Sequence, residues 1–69
     1  MEKVDVRGLS CPMPVLKCKK AIDSGAKEIL VTGTSQVSKE NVSKLAKKEG
    51  FEVTLTVDAR DEWEMNLKK

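Results

Sequence analysis

Apolar residues recur along this chain at two spacings, and the switches between them lay out the elements. From Lys3 to Arg7, Val4 and Val6 alternate with Lys3, Asp5 and Arg7, the period of a half-buried strand. Gly8-Leu9-Ser10 follows as a turn. The spacing then lengthens. Val15, Cys18 and Ile22 share one helical stripe with Ala21 beside it, while Lys17 and Lys20 point away and Lys19 lies near the edge. This predicts a helix from about Pro12 to Ser24 that ends at Gly25. Glu28 to Thr32 reads as a second strand, whose unbroken Ile29-Leu30-Val31 run predicts a central, buried place in a sheet.

Gly33-Thr34-Ser35 is a loop, and Ser35 suits the N-cap of a second helix that runs to about Glu49 and stops at Gly50. Val42, Leu45 and Ala46 form its inner stripe, and Lys44, Lys47 and Lys48 its outer one. Two alternating segments follow. Val53, Leu55 and Val57 are expected on one face of the third strand, and Trp63, Met65 and Leu67 on one face of the fourth. Asp58-Ala59-Arg60-Asp61 joins them as an antiparallel hairpin.

The order β-α-β-α-β-β, with three of the four strands apolar on one face only, predicts an α+β two-layer sandwich. It has a mixed four-stranded sheet with both helices packed on one face and the other face in water. A right-handed crossover makes the first two strands parallel. Residues 1–69 are expected to form a single domain, with no repeat, linker or low-complexity stretch.

Length and charge narrow the function. Chains this short bury only about 60% of their unfolded surface, which argues against a deep pocket and for a surface site that meets larger partners. Charged residues make up 35% of the chain yet net only +2, with the signs interspersed, unlike a dedicated nucleic-acid binder. One tryptophan, one phenylalanine and no tyrosine leave no stacking platform, so direct nucleic-acid binding is not expected. No apolar run approaches the roughly 20 residues of a membrane span, and the N-terminus has no signal-peptide core. Two cysteines that do not readily pair fit a reducing compartment, so the expected location is the cytoplasm. Nothing demands a dimer, and a monomer is expected.

Cys11 has the strongest chemical claim. A cysteine just before a proline that opens a helix sits at the positive end of the helix dipole, beside free backbone N–H groups that favour thiolate. With Cys11 as N-cap, Pro12 is the first helical residue and Pro14 the third, and neither has an N–H to offer. Met13 is then the main donor of the first turn that could face the sulfur. Gly8 is expected to supply an unusual backbone angle at the turn. Asp5 either hydrogen-bonds that turn or stands as an exposed strand acid. The chain has no histidine, which excludes a Cys–His pair within it, and two cysteines fall short of a four-ligand zinc site. Seven residues of helix would hold Cys11 and Cys18 about 10 Å apart, beyond the disulfide limit of about 7 Å. Neither a metal nor a cofactor is expected. The residues leave a lone activated cysteine suited to carrying a group, or a structural cysteine at a tight strand–helix junction.

The run Asp5-x-x-Gly8-x-x-Cys11-Pro12-x-Pro14 resembles the signature of the TusA/SirA-like family of small sulfur carrier proteins, whose hallmark is a Cys-Pro-x-Pro opening the first helix. The resemblance extends over essentially the whole chain, since that family shares the β-α-β-α-β-β architecture. Ser38-Lys39-Glu40-Asn41-Val42 and Gly50-Phe51-Glu52-Val53 look most like the N-terminal domain of YedF-type proteins. The resemblance implies that Cys11 accepts sulfane sulfur from a donor protein, a cysteine desulfurase or a rhodanese-like protein. Cys11 would hold it as a persulfide and relay it to an acceptor protein. Cys18 stands where relatives often have threonine or another small residue. It reads either as a second, resolving thiol or, by its helical phase, as core. Lys17, Lys20, Lys44, Lys47 and Lys48 read as a solvated surface or as a docking patch for an acidic partner. The competing class is a non-catalytic protein- or RNA-binding module that uses the lysine face, since the fold also resembles the C-terminal domain of translation initiation factor three.

Overall fold

The computed structural model describes residues 2–9 and 13–69. Their order is β1 (Glu2–Asp5), α1 (Met13–Asp23), β2 (Glu28–Gly33), α2 (Gln36–Lys48), β3 (Glu52–Asp58) and β4 (Trp63–Lys68). The four strands form one mixed sheet in the order β1-β2-β4-β3, with β1 parallel to β2 and the other pairs antiparallel. The α+β two-layer architecture is therefore the one that the apolar spacing predicts. β2 is an interior strand, as its Ile29-Leu30-Val31 run requires, and Ile29 and Val31 are fully buried.

Alternation along each strand sets the core. Val4 and Val6, Ile29 and Val31, and Trp63, Met65 and Leu67 point to the helix side and are buried there with Val42, Ala46 and Cys18. Each such large side chain removed from water contributes about 1.5–3 kcal/mol. On α1 the fully covered face runs through Pro14, Cys18 and Ala21, whereas Val15 and Ile22 are half-buried. The covered stripe is thus rotated by about one position from that of the periodicity, because α1 lies beside α2 as well as on the sheet.

Local signals bound α2 where the sequence places its ends. The Ser35 hydroxyl accepts the Ser38 N–H at the start of α2. At its other end, Gly50 with φ +86° lets its own N–H reach the Lys47 carbonyl and the Phe51 N–H reach that of Ala46. This pair of bonds satisfies the last free carbonyls and seats Phe51 in the core.

The third strand departs from expectation. Val53 and Leu55 lie opposite Leu67 and Met65, on the helix side, but a register shift follows, and Val57 lies opposite Glu64. The bulge at Thr56, whose hydroxyl donates to the Glu64 carboxylate at 2.8 Å, turns Val57 to the open face. It also aims Asp58 at the helix side, where it meets Lys39 at 3.0 Å. Leu55 is 41% exposed and Val57 39%, so the apolar set of β3 lies largely outside the core.

Candidate functional site

Parallel pairing of β1 with β2 sends both strands out at one end of the sheet, and α1 and α2 begin there. The β3–β4 hairpin turns at the same end, because Gly33 lies opposite Trp63 and Trp63 opposite Asp58. Cys11 and Pro12 are outside the described residues, and so are the readings of Cys11 as N-cap, as thiolate and as a partner of the Met13 N–H. The segments on either side of them are described, and they fix where the chain leaves the sheet and where it re-enters as helix.

The outgoing side is held by Asp5. Its Oδ1 accepts the Arg7 backbone N–H and the Arg7 Nε–H, each at 3.0 Å, and its Oδ2 accepts from Nη2 at 2.9 Å. Val6 N–H points toward β2, so the Arg7 N–H faces the free edge of the sheet, and Asp5 gives it a partner just past the end of β1. The chain keeps one more sheet bond, Val6 N–H to the Thr32 carbonyl at 2.8 Å, and then turns with Leu9 N–H to the Val6 carbonyl. Gly8 has φ +74°, a conformation that L side chains rarely adopt. Leu9 packs against the core. The returning side is anchored by Pro14, buried in the first turn of α1, where a proline costs no helical hydrogen bond. Lys17 reaches back from α1 to the Asp5 carbonyl at 3.2 Å, so strand, turn and helix are tied together on both sides of Cys11.

Its hydrogen bonds with Arg7 hold the Asp5 carboxyl down at about 2, against an ordinary value of 3.8. A carboxyl depressed on folding stabilises the native turn above its ordinary value, and that contribution is lost as pH falls from about 4 through 2. An NMR titration should show Asp5 and the Arg7 amide moving together near pH 2. Arg7→Ala should return the Asp5 midpoint toward 3.8. An Asp5 midpoint already near that ordinary value in the unsubstituted protein would show that the turn is not held this way.

Cys18 is fully buried, and burial pushes its thiol up to about 11. At neutral pH only about one molecule in ten thousand then carries it as thiolate. A thiol reagent should modify Cys18 in the native protein only as fast as the protein unfolds, and rapid native-state modification would contradict the placement. Its position favours the core reading over that of a resolving thiol.

The five lysines are not brought to one face. Lys17 and Lys20 line a groove of about 290 Å³ between α1 and β1, together with Lys3 and Asp5. Lys44 and Lys47 line another, of about 330 Å³, between α2 and β3. β1 and β3 are opposite edges of the sheet. Lys48 is exposed on the last turn of α2 and lines neither groove.

The end of the sheet where β1 leaves and α1 and α2 begin presents apolar side chains instead. Met13 (47% exposed) and Leu16 (53%) stand in the first turns of α1 and Val37 (60%) in the first turn of α2. The sequence marks Leu16 and Val37 only by their falling out of phase with the inner stripes of their helices. The Arg7 guanidinium is held charged first by Asp5, and the Glu62 carboxylate adds a smaller Coulombic attraction. Gln36 donates to the Ala59 and Arg60 carbonyls, which fastens the hairpin to α2. Among the described residues, no group of three or more His, Cys, Asp or Glu could hold a metal ion, and no helix is long and apolar enough to cross a membrane.

Comparison with known proteins agrees with this geometry. The family model described as "Sulfurtransferase TusA" matches residues 2–69. Two archaeal proteins, each named "Putative sulfur carrier protein", are similar in sequence. That of Methanocaldococcus jannaschii is 35% identical over 71 aligned residues, covering 100% of this chain and 95% of its own length. That of Halobacterium salinarum is 49% identical over 41 residues, covering 54% of this chain and 51% of its own. The crystal structure of a SirA-like protein from Desulfitobacterium hafniense superposes with a TM-score of 0.83 at 26% identity, covering 97% of this chain and 95% of that one.

Proposed function

Because the chain belongs to the TusA sulfurtransferase family, we propose that it is a sulfur carrier in which Cys11 holds the sulfur as a persulfide and relays it from a donor protein to an acceptor protein. The observation that carries the reading is the family match over residues 2–69, with its cysteine two residues before α1 begins.

The chemistry is an exchange that needs no outside oxidant. The Cys11 thiolate attacks the terminal sulfur of a persulfide on the donor, the sulfur–sulfur bond within the donor breaks, and the donor cysteine leaves as a thiolate. Attack by an acceptor thiolate on the terminal sulfur of Cys11 returns Cys11 to its starting state. Such exchange is fastest for an accessible sulfur whose pKa lies near ambient pH. Helix N-terminal N–H groups and dipole supply a thiolate-favouring field at the start of α1. The turn held by Asp5 and Arg7 and the anchor at Pro14 support the segment that carries the cysteine.

Sulfur must move between two proteins, so the cysteine end has to dock against a partner surface. Met13, Leu16 and Val37 form the apolar rim for that contact, and no deep pocket is required. The test is transfer of radiolabelled sulfur from cysteine, through a cysteine desulfurase, to the purified protein. The expected result is label that stays with the protein on a non-reducing gel and leaves with reductant. Met13→Asp with Leu16→Asp should slow loading at least about tenfold by weakening the encounter while circular dichroism stays unchanged. No labelling, from either a desulfurase or a rhodanese-like donor, overturns the proposal.

A further inference from the structure

We propose that the groove between α2 and β3 is a docking site for an extended segment of another protein, which adds as a strand along the free edge of β3 and carries acidic residues among apolar ones. Nothing in this inference depends on Cys11.

The edge comes first. β3 pairs with β4 on one side, and among the described residues no strand pairs with its other side. It spans Glu52–Asp58 with no lysine, arginine or proline, and up to the bulge at Thr56 its edge is regular. Its row of unpaired backbone groups is thus open to strand addition, the mode in which main-chain hydrogen bonds give affinity and alternate side chains give specificity.

The groove then selects the partner. Its floor is Val53, Leu55 and Met65, and its α2 wall sets three lysines, Lys39, Lys44 and Lys47, against one acid, Glu40. Asp58 engages Lys39, but among the described residues Lys44 and Lys47 make no ion pair. A strand laid beside β3 would turn every second side chain toward this groove. Apolar side chains there would cover Leu55, and acidic ones would reach Lys44 and Lys47. A second copy of this chain fits less well, because its β3 carries acids only at its two ends, Glu52 on the open face and Asp58 already paired with Lys39.

The test is an NMR titration of the isotope-labelled full chain with three short capped peptides. The first has threonine at every second position and isoleucine and glutamate taking turns at the others. The second replaces glutamate by lysine. The third is the first with alternate backbone nitrogens methylated, which removes its ladder donors. The acidic peptide should shift the amides of residues 39–47 and 53–57 and slow the exchange of outward-facing β3 amides. The lysine and N-methylated peptides should not. The double variant Lys44→Glu with Lys47→Glu should weaken binding of the acidic peptide at least about tenfold. Four results would overturn the proposal: equal binding of the N-methylated peptide, shifts centred elsewhere, concentration-dependent shifts at β3 without peptide, or no binding up to the solubility of the acidic peptide.

Discussion

Cys11→Ser should abolish persulfide formation outright, while circular dichroism and thermal unfolding stay close to those of the unsubstituted protein. Serine keeps the volume and the local hydrogen-bonding capacity but gives no nucleophile that can hold a sulfane sulfur at neutral pH. The paired control is Cys18→Ala. Cys18 is buried against the sheet with its thiol pushed up to about 11, so its loss should cost some stability and leave loading on Cys11 intact. Loading that vanishes in Cys18→Ala but persists in Cys11→Ser would reverse the assignment of the two sulfurs.

The second large effect concerns the pillar behind the cysteine end. Trp63 is fully buried, its Nε1–H donates to the Ser35 carbonyl at 2.8 Å, and its indole lies over Gly33, where any Cβ would overlap the ring. It therefore joins β4, the end of β2 and the cap of α2. Trp63→Ala should cost about 3–5 kcal/mol through the cavity and the orphaned carbonyl. At about 0.05–0.15 kcal/mol per residue, a chain of 69 residues has only about 3–10 kcal/mol in total, so much of the variant should be unfolded at room temperature. Gly33→Ala should cost about 1–3 kcal/mol by forcing the indole aside. Urea unfolding followed by circular dichroism measures both. A Gly33→Ala protein as stable as the original would mean that the close approach of β2 to the indole is not a constraint.

The strands and helices were legible because each rests on a local rule. Period two with period near four separates the elements, Ser35 and Gly50 mark the ends of α2, and the Ile29-Leu30-Val31 run identifies an interior strand. What escaped depends on which element covers which. Val53, Leu55 and Val57 alternate perfectly, yet the bulge at Thr56 reverses Val57, and α2 leaves Leu55 partly bare at the sheet edge. A bulge leaves no trace in apolar spacing. The lysines show the same limit. Helical phase places Lys17 and Lys20, and Lys44 and Lys47, outward from their helices, but only the strand order β1-β2-β4-β3 separates the two sets to opposite edges.

At the cysteine end, the Asp5-x-x-Gly8-x-x-Cys11-Pro12-x-Pro14 run pointed to the residues, and the geometry adds reasons for three of them. Asp5 binds the Arg7 backbone, Gly8 takes a positive φ and Pro14 is buried at the start of α1. Arg7, the bidentate partner that holds Asp5, lay outside the motif and read only as a strand residue.

The most direct test is peptide-level mass spectrometry of the protein after incubation with a cysteine desulfurase and cysteine, under non-reducing conditions. The account predicts the gain of one sulfur atom on the peptide containing Cys11, reversed by reductant and absent from the peptide containing Cys18 once the two are separated by cleavage at the intervening lysine, Lys17. A sulfur found only on Cys18, or on neither cysteine with either class of donor, would contradict it.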